Sequence, residues 1–87
     1  MTLPAREKKI LLAILSDLTG LEEKEITPDL PLLDGGYLTS LQVVELVTRI
    51  EDETGVLFRD KDITPENFQD LSSIESLLEA RKEEDPP

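Results

Sequence analysis

Aliphatic residues that recur every three or four positions limit most strongly what this chain can fold into. No stretch alternates apolar and polar residues for long enough to predict a strand. Only Tyr37, Phe58 and Phe68 are aromatic, so the core must be aliphatic, which suits interlocking helices. The pattern predicts an all-α fold with three main stripes. These are Leu11, Ile14, Leu15 and Leu18; Leu41, Val44, Leu46 or Val47, and Ile50; and Ile74, Leu77 and Leu78.

The first stripe predicts a helix from about Leu3 to Leu18. Thr2 and Pro4 are typical of a helix start, and Gly20 is typical of the left-handed residue that ends a helix.

The following residues, 21–38, predict a long loop. Prolines and the Asp34-Gly35-Gly36 breaker prevent a regular helix from continuing through this segment. Its leucines predict that the loop packs against the rest of the chain. They are Leu30, Leu32 and Leu33.

The second stripe predicts a helix whose first residue is Ser40. Thr39 and Gln42 form the pattern of a capping box, in which each side chain bonds the backbone amide of the other residue. The helix is expected to end at Thr54-Gly55. The residues assigned to its buried side are Leu46, Val47 and Ile50.

The last third of the chain predicts a short helical turn and a final helix. Thr64 followed by Pro65 is typical of a cap and first position of a short turn. Ser72 and Glu75 form a second capping-box pattern, which introduces a helix from about Ser73 to Arg81.

Residues 82–87 are charged and end in proline, so they predict a flexible acidic tail. Residues 1–81 then form a single domain, because 87 residues are too few for two. The predicted architecture is a four-helix bundle with three main helices, a short third helix and a long loop after the first.

Charge and composition exclude several functions. Twenty acidic residues against nine basic ones give a net charge of -11, which repels nucleic acid and anionic membranes. Without His or Cys the chain lacks the usual general base, a thiolate and the commonest zinc ligand. We therefore expect neither nucleic-acid binding nor enzymatic chemistry, and the charge favours a monomer.

Neither membrane insertion nor a bound ion is predicted. The apolar run at residues 10–15 is too short to span a bilayer and lacks a cleavage pattern, so we expect a cytoplasmic protein. The best calcium-loop register begins at Asp60, but Pro65 stands where Gly is needed and Leu71 where a bidentate Glu is needed. Gly35-Gly36 lacks the following Lys of a phosphate-binding loop.

The stretch from Leu33 to Leu46 resembles the attachment region of acyl, aminoacyl and peptidyl carrier proteins. Ser40-Leu41 and Val44-Glu45-Leu46 match the family's Ser-Leu and Val-Glu-Leu in identity and spacing. The resemblance extends over nearly the whole chain and implies the carrier fold, with 4'-phosphopantetheine from coenzyme A attached to Ser40. A helix start suits this group, because its free amides and positive dipole end favour a phosphodiester.

The resemblance also implies partners and a cargo. A phosphopantetheinyl transferase would modify Ser40, a ligase would load an acyl or aminoacyl group as a thioester, and a transferase or synthase would receive it. The segments around residues 32–38 and 62–68 look more like those of D-alanyl and aminoacyl carriers than like those of fatty-acid synthase carriers. The partner-binding residues implied are Leu41, Val44, Glu45, Thr48, Glu51 and Asp52.

Thr39 departs from the family pattern, which usually has Asp before the modified Ser. Thr can cap the helix but brings no negative charge. This departure leaves a second function open, in which the carrier fold is never modified and acts as an interaction module through its acidic second helix.

Overall fold

A computed structural model describes residues 3–84 of the chain. Three α-helices, α1 (Ala5–Thr19), α2 (Ser40–Thr54) and α3 (Leu71–Glu84), are joined by segments with short 3-10 turns. No strand occurs in residues 3–84, so the all-helical prediction is confirmed. Within the same range, no helix is both long and apolar enough to cross a bilayer. Thr2, predicted as part of the first helix start, and residues 85–87 of the predicted tail lie outside the described residues.

α1 begins after Pro4 and ends at Gly20. Pro4 occupies the N-cap position with φ -57° and ψ 151°, so the helix starts at Ala5 rather than Leu3. Gly20 has φ 79°, and its amide donates to the Ser16 carbonyl at 2.9 Å. This is the left-handed end that the sequence predicted. The fully buried face of the helix carries Leu11, Ile14 and Leu15.

The connection between α1 and α2 is tied to the core by its backbone. The Leu32 amide donates to the Gln69 carbonyl at 2.8 Å, just ahead of α3. The amides of Tyr37 and Leu38 both donate to the Leu32 carbonyl at 2.9 Å. The backbone that leads into α2 therefore follows a path set by tertiary contacts. The buried apolar residues of this connection are Ile26, Leu32 and Leu38.

α2 buries one side and exposes the other. Val43, Leu46 and Ile50 are buried at intervals of three and four residues, which places them on one face. Val47, predicted as core, packs against it but is only half-buried, because it lies at the edge of this face, about 100° around the helix from Leu46. The helix ends at Gly55 with φ 80°, where the sequence predicted.

α3 starts earlier than the sequence predicted. Asp70 caps it, because its Oδ1 accepts a hydrogen bond from the Ser73 amide at 2.8 Å. The helix begins at Leu71, and Ser72 lies inside the first turn instead of capping it. Asp and Ser are equally good caps, so the local pattern did not distinguish them. Where the short third helix was expected, the structure has a 3-10 turn, Glu66–Phe68.

α3 also ends later, because residues 82–84 of the predicted flexible tail continue the helix. Lys82 donates through Nζ to Oε1 of the buried Glu7 at 2.8 Å. This hydrogen bond lowers the pKa of the Glu7 carboxyl below its usual value of 4.5. The neighbouring Arg81 pairs with the buried Asp62 at 3.1 Å. Two ion pairs thus join the end of α3 to α1 and to the segment after α2.

The core is mostly aliphatic and includes the aromatic ring of Phe68. Phe68 is fully buried and meets Phe58 edge-on, with ring centroids 6.5 Å apart. All three helices contribute fully buried residues, among them Leu15, Leu46 and Leu78. Burying one such side chain contributes about 1.5–3 kcal/mol, so a handful of them accounts for much of the stability of a domain this small.

Candidate functional site

Ser40 is the first residue of α2, and it is exposed to solvent. Its hydroxyl makes no hydrogen bond to any described residue. The amides of a first helical turn lack intrahelical partners and lie at the positive end of the helix dipole. The Ser40 hydroxyl is therefore accessible, and its surroundings favour a negatively charged group.

The capping box predicted from the sequence fixes the start of α2. Thr39 Oγ1 accepts a hydrogen bond from the Gln42 amide at 3.1 Å, and Gln42 Oε1 accepts one from the Thr39 amide at 2.9 Å. The Gln42 side chain also donates through Nε2 to the Leu18 carbonyl, at 3.0 Å. Sequence reasoning missed this bridge, because periodicity carries no signal for a contact between residues 24 apart. Gln42 thus ties the start of α2, including Ser40, to the end of α1.

The turn before Ser40 is close-packed around Gly35. The Gly35 amide donates to the Pro31 carbonyl at 2.8 Å. A Cβ on Gly35 would lie 2.4 Å from that carbonyl oxygen and 2.9 Å from the Tyr37 ring. Gly36 follows with φ 79°, a conformation that costs glycine little. These two glycines allow the chain to reach Thr39 by a tight path.

A small groove of about 130 Å³ adjoins Ser40. Its volume is below the 300–1,000 Å³ or so that is usual for a pocket that encloses a drug-sized ligand. Sequence reasoning placed Thr64 and Pro65 at a helix start and gave them no part in the site. The groove is lined by Leu33, Ser40, Val43, Ile63, Thr64 and Pro65.

The exposed side of α2 carries most of the residues that the resemblance assigned to partner binding. Leu41 is 82% exposed and Val44 is 56% exposed. Glu51 differs, because it is half-buried and its Oε2 accepts a hydrogen bond from the Phe58 amide at 2.9 Å. Leu57, which is 62% exposed just beyond α2, was not singled out from the sequence. The other exposed residues of the set are Glu45, Thr48 and Asp52.

No activating group lies beside Ser40 among residues 3–84. The chain contains neither His nor Cys, and no described side chain accepts a hydrogen bond from the Ser40 hydroxyl. A serine nucleophile of an enzyme needs an adjacent general base. The described residues therefore supply no base that would activate the Ser40 hydroxyl.

A comparison with known families identifies the family to which this chain belongs. A family described as "Phosphopantetheine attachment site" matches residues 9–80. The chain belongs to this family of carrier proteins. The resemblance noted in the sequence is therefore confirmed. Such carriers bear covalently attached 4'-phosphopantetheine, act without catalysing a reaction themselves, and work with phosphopantetheinyl transferases and biosynthetic enzymes.

Curated relatives of this carrier protein include several acyl carriers and an aminoacyl carrier. The "Meromycolate extension acyl carrier protein" of Mycobacterium tuberculosis strain H37Rv is 28% identical over 97% of this chain and 74% of its own length. The protein of the same name from Mycobacterium leprae is 30% identical over 84% of this chain and 62% of its own length. "Aminoacyl carrier protein 1" of Bradyrhizobium diazoefficiens is 37% identical over 62% of this chain and 59% of its own length.

Thr39 is the local departure of this carrier protein from the usual Asp-Ser-Leu. The structure gives Thr39 the capping role through its Oγ1, so the helix start is intact. The residue supplies no negative charge beside Ser40. The difference from the usual pattern is therefore one of charge and not of backbone geometry.

Proposed function

We propose that Ser40 receives 4'-phosphopantetheine from coenzyme A and that the chain then delivers an acyl or aminoacyl group to partner enzymes. The observation that carries the proposal is the exposed Ser40 hydroxyl at the first position of a capped helix, where it bonds no residue that the structure describes. An attachment residue must be reached by the enzyme that modifies it, and a buried or internally bonded hydroxyl would not meet that need.

The residues around Ser40 fit the arm. The free amides at the start of α2 favour the negative charge of a phosphodiester, and the groove formed with Ile63 and Pro65 offers an apolar surface beside it. When attached, the arm supplies the thiol that the chain lacks, so that a cargo is held as a thioester. The role of this chain is to hold the arm at a fixed place, in reach of other enzymes.

The exposed side of α2 is the proposed docking face. Leu41 and Val44 offer apolar contacts, and the acidic residues beside them complement basic surfaces on partner enzymes. Charge pairing of this kind mainly raises association rates and weakens with salt. The docking face comprises Leu41, Val44, Glu45, Thr48, Glu51 and Asp52.

The proposed cargo is an acyl or aminoacyl group. The names of the relatives support both classes, since one group is named for acyl carriage in meromycolate extension and another for aminoacyl carriage. Offering the modified protein to fatty-acyl, D-alanyl and aminoacyl ligases, and measuring thioester formation by intact mass, distinguishes these classes. A cargo accepted from one ligase class only would identify the pathway type.

Intact mass spectrometry tests the attachment. The full chain is incubated with coenzyme A and a broad-specificity phosphopantetheinyl transferase, and we expect one added arm on the wild type and none on Ser40→Ala. Ser72→Ala is the matched control, because Ser72 is also an exposed serine in the first turn of a helix. Its modification should equal that of the wild type. An arm on Ser40→Ala would disprove the assignment.

A second function is favoured by one observation, the Thr39 side chain beside Ser40. In that case the fold binds its partners through α2 without ever being modified. Failure of several different transferases to modify the wild type would support this function over the first. Thr39→Asp distinguishes a charge requirement, because Asp also caps a helix and restores the usual pattern.

We further propose that the chain acts as one carrier domain, which extends past the predicted limit of residue 81 to the end of α3, and that it works as a monomer in the cytoplasm. The charge of -11 supports a monomer. A single sedimenting species at the mass of one chain would agree with this, and a dimer would contradict it.

A further inference from the structure

Leu57 is an exposed apolar residue in an otherwise packed segment. It lies in the loop after α2 and is 62% exposed, whereas Val56 before it is buried and Phe58 after it packs against the core. A single exposed leucine is ordinary on a protein surface. Leu57 differs from such a residue in two ways, namely how firmly it is held and where it lies.

The backbone is anchored on both sides of Leu57. Thr54 Oγ1 accepts a hydrogen bond from the Val56 amide at 3.2 Å. Glu51 Oε2 accepts one from the Phe58 amide at 2.9 Å, and the Phe58 ring meets the buried Phe68 ring. Turning Leu57 inward would require these contacts to break. The structure therefore presents its side chain outward in a fixed position.

Leu57 extends the docking face along one side of α2. Val44 and Glu51 are seven residues apart, so they lie about 20° apart around the helix and about 10 Å apart along it. Because the Phe58 amide is bound to the Glu51 carboxylate, Leu57 lies at the Glu51 end of that side. Val44 and Leu57 are thus exposed apolar side chains near the two ends of this side of α2, and the acidic Asp52 lies close to the Leu57 end.

We propose that Leu57 is a further apolar anchor for the phosphopantetheinyl transferase that modifies Ser40. The inference rests on the proposed function. The 15 residues of α2 span about 22 Å. A standard interface buries about 800 Å² on each partner, a patch roughly 28 Å across. An enzyme that acts at Ser40 and covers the face of α2 therefore reaches Leu57.

The chemistry of the fitting surface follows from the surroundings of Leu57. The partner presents an apolar pocket bordered by basic side chains, because Glu51, Asp52 and Glu53 precede the loop and the chain carries a charge of -11. In this arrangement Glu51 is a positioning residue. It holds the loop through the Phe58 amide and contributes charge as well.

The test compares kcat/KM for modification of the full chain by a broad-specificity phosphopantetheinyl transferase with coenzyme A. Leu57→Asn and Leu57→Ala should each lower kcat/KM by about tenfold through KM, with kcat and the unfolding midpoint close to those of the wild type. Leu41→Asn is the positive control. Ala13→Gln, on the exposed side of α1, is the control that should change nothing.

Two variants of Glu51 separate its charge from its hold on the loop. Glu51→Gln keeps an oxygen that accepts from the Phe58 amide, whereas Glu51→Ala loses it. We expect Glu51→Ala to lower kcat/KM more than Glu51→Gln does, and this extra loss should disappear in the Leu57→Asn background. If the extra loss from Glu51→Ala were the same in the wild type and in the Leu57→Asn background, the positioning role of Glu51 would be contradicted.

The outcomes distinguish this inference from the function on which it rests. No arm on the wild type would overturn the proposed function and the inference together. Normal modification of both Leu57 variants, with a loss in Leu41→Asn, would overturn only the inference. If Ala13→Gln lowered kcat/KM as much as the Leu57 variants do, the inference would also be overturned, since the effect would then be unspecific.

Discussion

Replacing Gln42 tests how the start of α2 is held. Its side chain makes two hydrogen bonds, accepting from the Thr39 amide at 2.9 Å and donating to the Leu18 carbonyl at 3.0 Å. Gln42→Ala removes both bonds. Gln42→Glu keeps the first, because a carboxylate accepts from an amide, and loses the second, because a carboxylate cannot donate. The pair of variants therefore separates the local cap from the bridge between α1 and α2.

The expected losses follow from these bonds. A typical hydrogen bond contributes about 0.5–1.5 kcal/mol net, so Gln42→Ala loses about 1–3 kcal/mol, of which the better helix propensity of Ala recovers a few tenths. Gln42→Glu loses one bond, but a negative charge in the first turn gains about 0.3–1 kcal/mol from the helix dipole. Its net loss should stay below about 1 kcal/mol. At about 4–8 °C per kcal/mol, Gln42→Ala lowers Tm by roughly 3–20 °C.

Urea unfolding followed by far-ultraviolet circular dichroism measures both losses by linear extrapolation. The reasoning fails if Gln42→Ala costs less than about 0.5 kcal/mol, because the two bonds would then be dispensable. It also fails if Gln42→Glu is as damaging as Gln42→Ala, since the retained cap would then contribute nothing.

Three further substitutions test the packing and the ion pairs of the fold. Gly35→Ala should cost about 1–3 kcal/mol in urea unfolding, because its Cβ would lie 2.4 Å from the Pro31 carbonyl oxygen, and that backbone atom cannot easily move; an unchanged midpoint would show that the turn adapts. Glu7→Gln should cost about 1 kcal/mol at neutral pH. Lys82 lowers the folded-state pKa of Glu7. The stability that this ion pair contributes is therefore present above pH 4.5 and is lost as the pH falls through the lowered pKa. The gap between wild type and Glu7→Gln should therefore shrink in acid, and a constant gap would contradict the lowered pKa. Leu46→Ala should cost about 2–5 kcal/mol because Leu46 is fully buried, and a loss below 1 kcal/mol or so would mean that the core closes over the space.

The elements that the sequence determined are those governed by local chemistry. The aliphatic stripes predicted three main helices. Gly20 and Gly55 marked two of the helix ends, because glycine adopts the left-handed backbone conformation at little cost. The capping box of Thr39 and Gln42 was readable because its partners lie three residues apart. Ser40 was therefore placed at the first position of α2 from the sequence alone.

The start of α3 and the side of α2 that is buried depended on tertiary contacts. Asp70 and Ser72 are both acceptable caps. In the structure Asp70 caps the helix, and the Ser72 amide donates a hydrogen bond to the Pro28 carbonyl at 3.1 Å. Val43 is buried and Val47 half-buried, although both are valines of one helix. Which of them faces inward depends on where α1 and the neighbouring segments pack, and a one-dimensional pattern does not contain that direction.

Only the tertiary structure decided the contacts that hold α2 and the end of α3. The bond from Gln42 to Leu18 joins residues 24 apart, and the bond from Lys82 to Glu7 joins residues 75 apart. The outward position of Leu57 depends on the Glu51 carboxylate near the end of α2, which accepts a hydrogen bond from the Phe58 amide. Periodicity and capping report on neighbours within a turn or so of helix. Contacts between distant residues exist only once the core has brought their elements together, which is why the sequence located Ser40 and the structure showed what holds it in place.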